Sequence, residues 1–356
     1  MGIEEKRKKI DSIDEKVLNL LNERAETAKG ISRDKGKEGK AVYVPERERS
    51  LLENLISKNK GPLSNKAIES IYSSIVSECR ALEAPLNVAY LGPATTFTNM
   101  AAIKNFGKSC SFLPKGSINE VFSDVEKGCA DYGVVPVENS TEGTVNHTLD
   151  MFMESDLNIV AEVILDIKHN LLSKHKLSEI KKVYSQQNAL AQCRNWLSGN
   201  LPKAELIESS STAKAAELAS LYLNSAAIAS DLAAEQYGLE IIAENIQDMA
   251  NNVTRFFVIG KTSSKKSAKN KTSIMFSVKH KSGSLFSVLK PFSENGINMT
   301  KIESRPAKKK AWEVVFFIDF EGYVDDEKVK KTLKEVEEYC VFVKILGSYP
   351  MVVSVS

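Results

Sequence analysis

Apolar residues recur at helical spacing through the first eighty residues and predict three helices. A stripe that starts at Ile10 and Val17 continues without glycine or proline as far as Gly30. Pro45 suits the first turn of a second helix, and Ser64 can cap a third. A first helix of about 30 residues would be about 45 Å long. Because so small a domain cannot bury that stripe, we expect this helix to pack against a second chain.

From residue 86 to about residue 260, short apolar runs alternate with helical patterns. The predicted strands are 88–91, 132–137, 158–165, 182–185, 226–229 and 253–259. The predicted helices are 99–106, 117–127, 145–154, 188–198, 212–223 and 231–236. This alternation predicts an α/β region with parallel sheets that bind ligands at the carboxyl ends of their strands.

Polar turns follow several of these strands. An apolar run stops at Glu138-Asn139-Ser140, and Thr144 has the position of a helix start. A strand, a polar turn and a helix N-terminus in this order can direct N–H groups at an anion, although an ordinary loop also explains one such turn. Similar turns lie at 92–98, Ser185, 209–212 and 251–256. Together they predict a cleft for a small polyanion.

The C-terminal ninety residues begin with a basic, polar stretch at 261–271, which we interpret as a linker. The pattern that follows is strand 272–280, helix 284–294, strand 297–304, strand 312–320, helix 325–338 and strand 341–347. This βαββαβ order is that of the ferredoxin-like α+β fold.

Charge and composition exclude several classes of function. The 356 residues carry 48 basic and 46 acidic side chains, a net charge of +2, so no overall field favours nucleic acid or a membrane. The 5 cysteines and 4 histidines are scattered, so we expect no disulfide framework, metal site or cofactor. The charged first residues do not fit a secretory signal, and we expect a cytoplasmic protein.

Several cations lie along the predicted N-terminal helices. Arg24 and Lys35 are about 20° apart around a helix and share a face, whereas Arg7 points about 100° away, toward a neighbouring subunit. On the charges alone, a solvated helix face is the simpler explanation.

These residues nevertheless resemble the pattern of the all-helical chorismate mutases, which are intertwined dimers. The resemblance implies that Arg7, Arg24 and Arg47 hold substrate carboxylates and that Lys35 donates to the breaking ether oxygen. Glu48 would take the substrate hydroxyl, and Cys79 would line the site. Glu83 stands where the family often has glutamine. Because an ionised carboxylate cannot donate a hydrogen bond, we expect Glu83 to act in its protonated form.

The central region resembles prephenate dehydratase. Its signatures occur in order: Gly-Pro-Ala-Thr-Thr-Phe-Thr at 92–98, Val-Glu-Asn-Ser at 137–140 and Thr-Arg-Phe at 254–256. The resemblance implies two α/β lobes around a crevice, like a periplasmic binding protein, with Thr254 assisting departure of the ring hydroxyl. It also implies a set of prephenate-binding residues: Thr96, Thr98, Asn139, Ser140, Ser185, Gln192, Thr254, Arg255 and Phe256. For Arg255, a carboxylate contact and a structural ion pair remain alternatives.

The C-terminal motifs resemble those of the regulatory ACT domain, which binds phenylalanine in this family. They are Ser-Gly-Ser-Leu-Phe at 282–286 and Glu-Ser-Arg-Pro at 303–306. The implied phenylalanine-binding residues are Gly283, Ser284, Leu285, Phe286, Asn298, Glu303, Ser304, Arg305 and Pro306. A domain that only dimerises is the alternative.

The chain as a whole is therefore predicted to be multidomain and to resemble the bifunctional chorismate mutase–prephenate dehydratases. The expected domains are an all-α domain at 1–84, a two-lobed α/β domain at 86–260 and an ACT domain at 272–356. Chorismate and prephenate are the expected substrates, with phenylalanine as feedback inhibitor and a homo-oligomer of at least two chains. The alternatives are a two-lobed binding protein without chemistry, and a dehydratase whose first 84 residues serve only to dimerise.

Overall fold

The computed structural model describes residues 2–38, 42–249, 251–279, 281–307 and 313–352, with side chains except those of residues 32–38. The chain forms two compact units, Met1–Asn87 with Phe106–Ser111, and Val88–Asn105 with Phe112–Ser356. Lys35 is among the residues whose side chains lie outside this description.

The first unit is built from the helices that the apolar pattern predicted. These are α1 (Ile3–Glu38), α2 (Pro45–Lys58) and α3 (Asn65–Glu83). Pro45 is the first residue of α2, and the Ser64 hydroxyl accepts a hydrogen bond of 3.2 Å from the Ala67 N–H. Helix α3 ends at Glu83, just before Pro85. The local signals therefore predicted the starts of α2 and α3 correctly, whereas α1 continues past Gly30 and is 36 residues long instead of about 30.

Strands and helices alternate in the central region. In chain order they are β1 (Asn87–Leu91), α4 (Phe97–Phe106), β2 (Ser111–Lys115), α5 (Ile118–Lys127), β3 (Tyr132–Asn139), β4 (Gly143–Thr144), α6 (Asn146–Phe152), β5 (Asn158–Asp166), β6 (Asn170–Ser173), β7 (Lys182–Ser185), α7 (Gln187–Gln192), α8 (Arg194–Asn200), β8 (Glu205–Glu208), α9 (Thr212–Leu221), β9 (Ser225–Ala229), α10 (Asp231–Tyr237), β10 (Glu240–Ala243) and β11 (Val253–Gly260). A 3-10 turn lies at Leu177–Glu179.

These strands form two sheets, which confirms the expected two lobes. The first sheet has the order β2, β1, β3, β11, β5, and the second has the order β10, β6, β9, β7, β8. The chain crosses to the second lobe between β5 and β6, and it returns between β10 and β11. We call residues 167–169 the first crossover and residues 244–252 the second crossover.

The prediction of purely parallel sheets is wrong. Strand β1 is parallel to β3, and β7 is parallel to β8 and β9. However, β11 is antiparallel to both β3 and β5, and β6 is antiparallel to β9 and β10. The reason is that the chain reverses direction when it crosses between lobes, so the returning strand β11 runs against its neighbours.

The polar turn after β3 also differs from the expectation. Strand β3 continues through Asn139, and Gly143–Thr144 pairs back with Glu138 and Asn139 as a short hairpin. Gly143 has a φ of 84°, a left-handed conformation that glycine adopts without strain and that lets the chain turn back. Helix α6 therefore begins at Asn146 rather than at Thr144. The predicted helix 188–198 is likewise two helices, interrupted at Cys193.

The C-terminal region has the predicted βαββαβ order. Its elements are β12 (Asn270–Val278), α11 (Ser284–Glu294), β13 (Met299–Pro306), β14 (Val314–Glu321), α12 (Glu327–Tyr339) and β15 (Cys340–Pro350). The strands form an antiparallel sheet in the order β13, β14, β12, β15, which we call the C-terminal sheet.

One hydrophobic core joins the C-terminal sheet to the first lobe. Val135 and Phe257 of the first lobe belong to the same buried cluster as Phe317, Leu346 and Tyr349 of the C-terminal sheet. Removal of this apolar surface from water favours a fixed contact between the two sheets. The strand that carries Thr254 is thus packed directly against the C-terminal region.

Candidate functional site

A hydrogen-bonded amide network surrounds Thr254 at the start of β11. The Asn139 side-chain nitrogen donates to Thr254 Oγ1 and to Asn252 Oδ1, both at 2.7 Å. Thr254 and Asn252 are buried. Because the Thr254 oxygen accepts this bond, and because it donates to no residue in the described part of the chain, its own proton is available for another acceptor.

The network continues across the cleft to the second lobe through Gln192. The Asn252 side-chain nitrogen donates to Gln192 Oε1 at 2.9 Å, and His169 Nε2 lies 2.8 Å from the same oxygen. Gln192 Nε2 donates to Thr141 Oγ1 at 3.3 Å and to Glu142 Oε1 at 3.0 Å. The structure therefore brings together the predicted Asn139, Gln192 and Thr254. It adds residues to which the sequence had assigned no role: Thr141, Glu142, His169 and Asn252.

The N–H groups of the turn after β3 are not directed at a ligand. Asn139 Oδ1 accepts from the N–H groups of Thr141 at 2.9 Å and Glu142 at 3.1 Å, and from the Thr141 hydroxyl at 2.6 Å. This is a side-chain-stabilised turn. The expectation that these N–H groups bind an anion is therefore wrong, because Asn139 occupies them itself.

Other predicted prephenate-binding residues have local hydrogen bonds or core positions. Ser185 is fully buried and donates to the Ile228 carbonyl at 2.7 Å, and Ser140 donates to the Asn251 carbonyl at 3.0 Å. Thr96 Oγ1 donates to the Pro93 carbonyl at 3.0 Å, and Thr98 and Phe256 are buried. In the described ranges, no hydrogen bond joins any of these side chains to Thr254, so their roles toward substrate stay predictions.

The loop after β1 is held in a conformation that usually needs glycine. Thr95 has a φ of 65°, which is uncommon for a β-branched residue. Its N–H donates to Asn99 Oδ1 at 3.0 Å, and its carbonyl accepts from the Ser230 hydroxyl of the second lobe at 3.1 Å. These two bonds keep the loop in place although residue 95 is a threonine.

Arg255 points to the other side of β11 and joins a buried ion cluster. Its Nε donates to Glu162 at 2.8 Å, and its Nη atoms donate to Asp319 at 2.5 Å and to the Tyr349 hydroxyl at 2.9 Å. Lys271 Nζ also contacts Glu162, at 2.9 Å. Burial alone would lower the pKa of Arg255, but Tyr349, Asp319 and Glu162 raise it, so the guanidinium stays charged. Of the two interpretations of Arg255, this geometry is that of a structural ion pair.

The first unit contains a second set of predicted residues. Arg7 is exposed and pairs with Glu4 at 3.1 Å, and Arg47 is exposed as well. Arg24 and Glu83 are half-buried, and Cys79 is buried. Within one chain, Arg7 and Arg24 are separated by 17 positions of α1, about 26 Å along the helix axis.

Arg80 is a buried residue of this unit that the sequence patterns did not single out. It pairs with Glu48, donates to the Phe106 carbonyl and lies 5.3 Å from the centre of the Tyr43 ring. Burial lowers its pKa, but the Glu48 carboxylate more than offsets this effect and raises it. Arg80 thereby fixes the position of Glu48.

A cavity of about 370 Å3 lies beside the start of α11. Gly283, Ser284, Leu285 and Phe286 line it, together with residues of β12, β14 and β15. Gly283 has a φ of 79° and precedes the first turn of the helix. Ser284 is buried, and its hydroxyl has no hydrogen-bond partner among the described residues. The cavity therefore offers a polar group and a helix N-terminus to a small ligand.

The second predicted effector motif lies on β13 and faces the first lobe. Glu303 accepts a hydrogen bond from the Thr144 hydroxyl at 2.8 Å, and Lys301 pairs with Glu138 at 2.8 Å. Arg305 pairs with Asp150 of α6 at 3.1 Å. Ser304 and Pro306 are exposed on the opposite face, and Asn298 donates to Glu321 at 3.0 Å. These residues do not line the cavity at Gly283.

Within the described ranges, no group of three or more histidine, cysteine, aspartate or glutamate residues could hold a metal ion. No helix in the same part of the chain is long and apolar enough to cross a membrane.

Three features define a multidomain enzyme with a regulatory domain. They are a helical unit that carries the predicted arginines, a two-lobed α/β region with a polar network in its cleft, and a ferredoxin-like module. Family comparisons match each part: "chorismate mutase type II" at residues 6–84, "prephenate dehydratase" at 88–264 and "ACT domain" at 272–338.

Two relatives extend over nearly the whole chain. The bifunctional chorismate mutase/prephenate dehydratase of Aquifex aeolicus is 50% identical over 353 residues, which are 98% of each chain. That of Pseudomonas aeruginosa is 46% identical over 354 residues, 98% of this chain and 97% of the relative. The crystal structure of prephenate dehydratase from Arthrobacter aurescens in complex with L-Phe superposes with a TM-score of 0.70 at 32% identity, and the match covers 75% of this chain and 90% of that chain. This chain belongs to the bifunctional chorismate mutase/prephenate dehydratase family.

Proposed function

We propose that this chain rearranges chorismate to prephenate in its helical unit and converts prephenate to phenylpyruvate in its α/β cleft, with phenylalanine as feedback inhibitor. The observation that carries the second activity is the available proton of Thr254 in the amide network. The family relationship supports both activities.

The dehydratase step needs a hydrogen-bond donor at the departing hydroxyl. Prephenate loses that hydroxyl and its ring carboxylate, whose bonding electrons complete the aromatic ring as CO2 leaves. Thr254 donates to the departing oxygen while Asn139 donates to Thr254, which stabilises the negative charge that develops at the hydroxyl. Gln192 orients the substrate, and the departing hydroxyl takes up a proton from solvent through Thr254 and leaves as water.

The mutase step needs no acid or base, only a compact substrate conformer and charge stabilisation at the ether oxygen. Arg7, Arg24 and Arg47 hold the two carboxylates, Lys35 and Glu83 contact the ether oxygen, and Cys79 lines the site. Glu48, fixed by Arg80, takes the substrate hydroxyl. Because Arg7 and Arg24 are about 26 Å apart along α1, a site that uses both arginines requires a second chain.

A homo-oligomer of at least two chains accounts for the surface of α1. The residues of this helix that expose large apolar side chains in the single chain are Ile3, Ile10, Ile13, Val17, Leu18, Leu20 and Ile31. A surface of this kind is typical of a protein–protein interface. Location in the cytoplasm stays a prediction.

Feedback by phenylalanine is supported by the cavity at Gly283 and by the contacts of β13. The helix N-terminus and the Ser284 hydroxyl suit the effector's carboxylate. Glu303 suits its ammonium group, and because Glu303 does not line this cavity in the single chain, it would come from a second copy of the chain. Here Glu303 accepts from Thr144, two residues beyond the turn that Asn139 stabilises. Phenylalanine that binds Glu303 therefore competes with a contact to the dehydratase cleft, which is the differential contact that feedback requires.

The experiment that tests this function supplies chorismate to the purified full chain and measures phenylpyruvate with and without phenylalanine. We expect phenylpyruvate to form and to decrease when phenylalanine is added. Accumulation of prephenate would contradict the dehydratase assignment. If supplied prephenate is converted but chorismate is not consumed, the helical unit serves only for dimerisation.

A further inference from the structure

A buried histidine, His169, influences which atoms donate and which accept in the hydrogen bonds around Thr254. Gln192 Oε1 can only accept, and it receives bonds from Asn252 and from His169 Nε2 at 2.8 Å. His169 must therefore carry its proton on Nε2. Its Nδ1 is then an acceptor, and this atom is buried without a hydrogen-bond partner among the described residues.

The opposite amide orientation of Gln192 would break the network. If the Gln192 side chain were rotated by 180°, its NH2 group would face the Asn252 NH2 group and the His169 N–H. Glu142 would then face the Gln192 oxygen, so donors would meet donors and acceptors would meet acceptors. His169 and Asn252 are the buried members of this set, and an unpaired buried polar group costs about 1–3 kcal/mol. The His169 N–H and the Asn252 amide therefore together hold Gln192 in the observed orientation.

The orientation of Gln192 is transmitted to Thr254 through two amides. Gln192 Oε1 accepts a hydrogen bond from the Asn252 side-chain nitrogen, and Asn252 Oδ1 therefore faces the Asn139 nitrogen. Asn139 then donates its other N–H to Thr254 Oγ1 and leaves the Thr254 proton free for the departing hydroxyl. In each bond of this series one atom is a donor and the other an acceptor, so the orientation of one amide determines that of the next.

His169 and Asn252 lie in the two crossovers between the lobes. Each is 3% exposed, and the backbone holds each crossover in place. The His169 N–H donates to Gln247 Oε1 at 3.0 Å, and its carbonyl accepts from the Ile246 N–H at 2.8 Å, so the first crossover is bonded to the second. The Phe97 ring and the imidazole pack in a T-shaped arrangement, with 5.6 Å between their centroids. The imidazole therefore has little freedom to turn.

We infer that His169 is a positioning residue of the dehydratase reaction: its Nε2–H fixes Gln192, and through Asn252 and Asn139 it directs the Thr254 proton toward the departing hydroxyl. This inference rests on the proposed dehydratase activity. Burial, which lowers the pKa of His169, keeps the imidazole neutral and able to hold one defined tautomer.

Two substitutions of His169 distinguish the effect of its Nε2–H donor from the effect of side-chain size. In His169→Gln the amide nitrogen reaches the position of Nε2 and can still donate to Gln192. In His169→Asn the shorter side chain brings its nitrogen only to the position of Nδ1. We expect His169→Asn to lower kcat for prephenate about 10- to 100-fold, the range in which misplaced catalytic groups act. His169→Gln should keep kcat within about threefold of the unsubstituted chain.

Two kinds of control apply: other kinetic parameters of the same variants, and a substitution of a histidine outside the network. KM for prephenate should change less than about threefold in both variants, and chorismate rearrangement by the same preparations should be unaltered, because the mutase site lies in the other unit. His175→Asn alters a histidine that pairs with Glu179 at 3.8 Å outside the network, and it should leave dehydration unchanged. Equal losses in His169→Asn and His169→Gln, or an increase in KM alone, would overturn the inference.

Nitrogen NMR of the unsubstituted full chain with 15N-labelled histidine gives a second measurement that does not depend on folding of a variant. The His169 resonances, assigned by their disappearance in His169→Gln or His169→Asn, should be those of a neutral ring protonated at Nε2. A ring protonated at Nδ1, or at both nitrogens at pH 7, would overturn the inference. An unsubstituted chain without prephenate turnover would refute the proposed function, whereas a normal His169→Asn variant would refute only the role of His169.

Discussion

The substitution Glu162→Gln tests whether the buried ion cluster holds the first lobe to the C-terminal sheet. The Glu162 side chain is 0% exposed and accepts from Arg255 Nε, from Lys271 Nζ and from the Val352 N–H. Glutamine keeps the shape but removes the charge, and its NH2 group must face one of these donors. Loss of one partner from a buried ion pair costs about 3–5 kcal/mol, because the remaining charge stays desolvated.

The expected change can be measured as a thermal transition of the full chain at pH 7. At about 2 °C per kcal/mol, the value for a large unit, the midpoint should fall by about 6–10 °C. The matched control is Glu205→Gln, whose side chain is 65% exposed and lies 3.9 Å from Lys182. A surface pair of this kind contributes at most about 1 kcal/mol, so the control should shift the midpoint by no more than about 2 °C.

A second substitution shows whether the loss of stability in Glu162→Gln comes from the unpaired charges or from a change of side-chain shape. Adding Lys271→Met to Glu162→Gln removes one of the two cations that have lost their partner, so the double variant should regain part of the lost stability. If Glu162→Gln unfolds within 2 °C of the unsubstituted chain, or if the double variant is less stable than the single one, the reasoning from buried charge is refuted.

Three further predictions concern the cleft and its regulation. Thr254→Val should lower kcat for prephenate about 100- to 1,000-fold while Thr254→Ser stays within about tenfold, because the hydroxyl donor is the group required; equal losses in both variants would contradict its role as donor. Thr144→Val removes the hydrogen bond that occupies Glu303, so phenylalanine should inhibit prephenate turnover at a concentration about fivefold lower, the equivalent of about 1 kcal/mol; an unchanged or higher concentration would refute the competition. Burial lowers the pKa of His169 below its ordinary value of about 6.5. As the pH falls, the unfolded chain therefore binds a proton at this histidine before the folded chain does. The free energy of unfolding should decline below about pH 6.5, by up to about 1.4 kcal/mol per pH unit. Urea unfolding at pH 7.5 and 5.5 should show a smaller decline for His169→Gln, and an identical decline in both chains would contradict this assignment.

Elements with strong local signals were predictable from the sequence. The strand at 182–185 and the helix at 284–294 have the predicted bounds. Gly283 marks the start of the helix, and Asn295-Gly296 follow its end. Strand β6, by contrast, was missed, because four consecutive buried residues show neither alternation nor helical spacing.

The partners of Thr254 were only partly predictable. Asn139 and Gln192 were found through family motifs, whereas Asn252 lay within a turn already noted as polar but had no assigned role. His169 gave no signal, because it meets Gln192 only after the chain has crossed between the lobes. A hydrogen-bond direction of this kind depends on contacts between residues distant in sequence, which periodicity does not contain.

Arg255 illustrates a second limit of prediction from the sequence. Successive residues of a strand point to opposite faces, so Thr254 and Arg255 were bound to have different surroundings. Two of the residues that Arg255 contacts, Asp319 and Tyr349, come from the C-terminal sheet, and nothing in the Thr-Arg-Phe motif indicates them. A motif that is continuous in sequence is therefore divided between the reaction cleft and a domain contact.

The hairpin of β3 and β4 has a consequence for engineering a chain that overproduces its product. Asn139 at one end contacts Thr254, and Thr144 at the other end contacts Glu303 of the C-terminal sheet. Substitutions on β13 that abolish feedback should therefore also disturb the wall of the cleft and reduce turnover. The cavity at Gly283 has no lining residue from this hairpin, so libraries that target Ser284 and its neighbours are the better source of feedback-resistant variants with full catalytic rates.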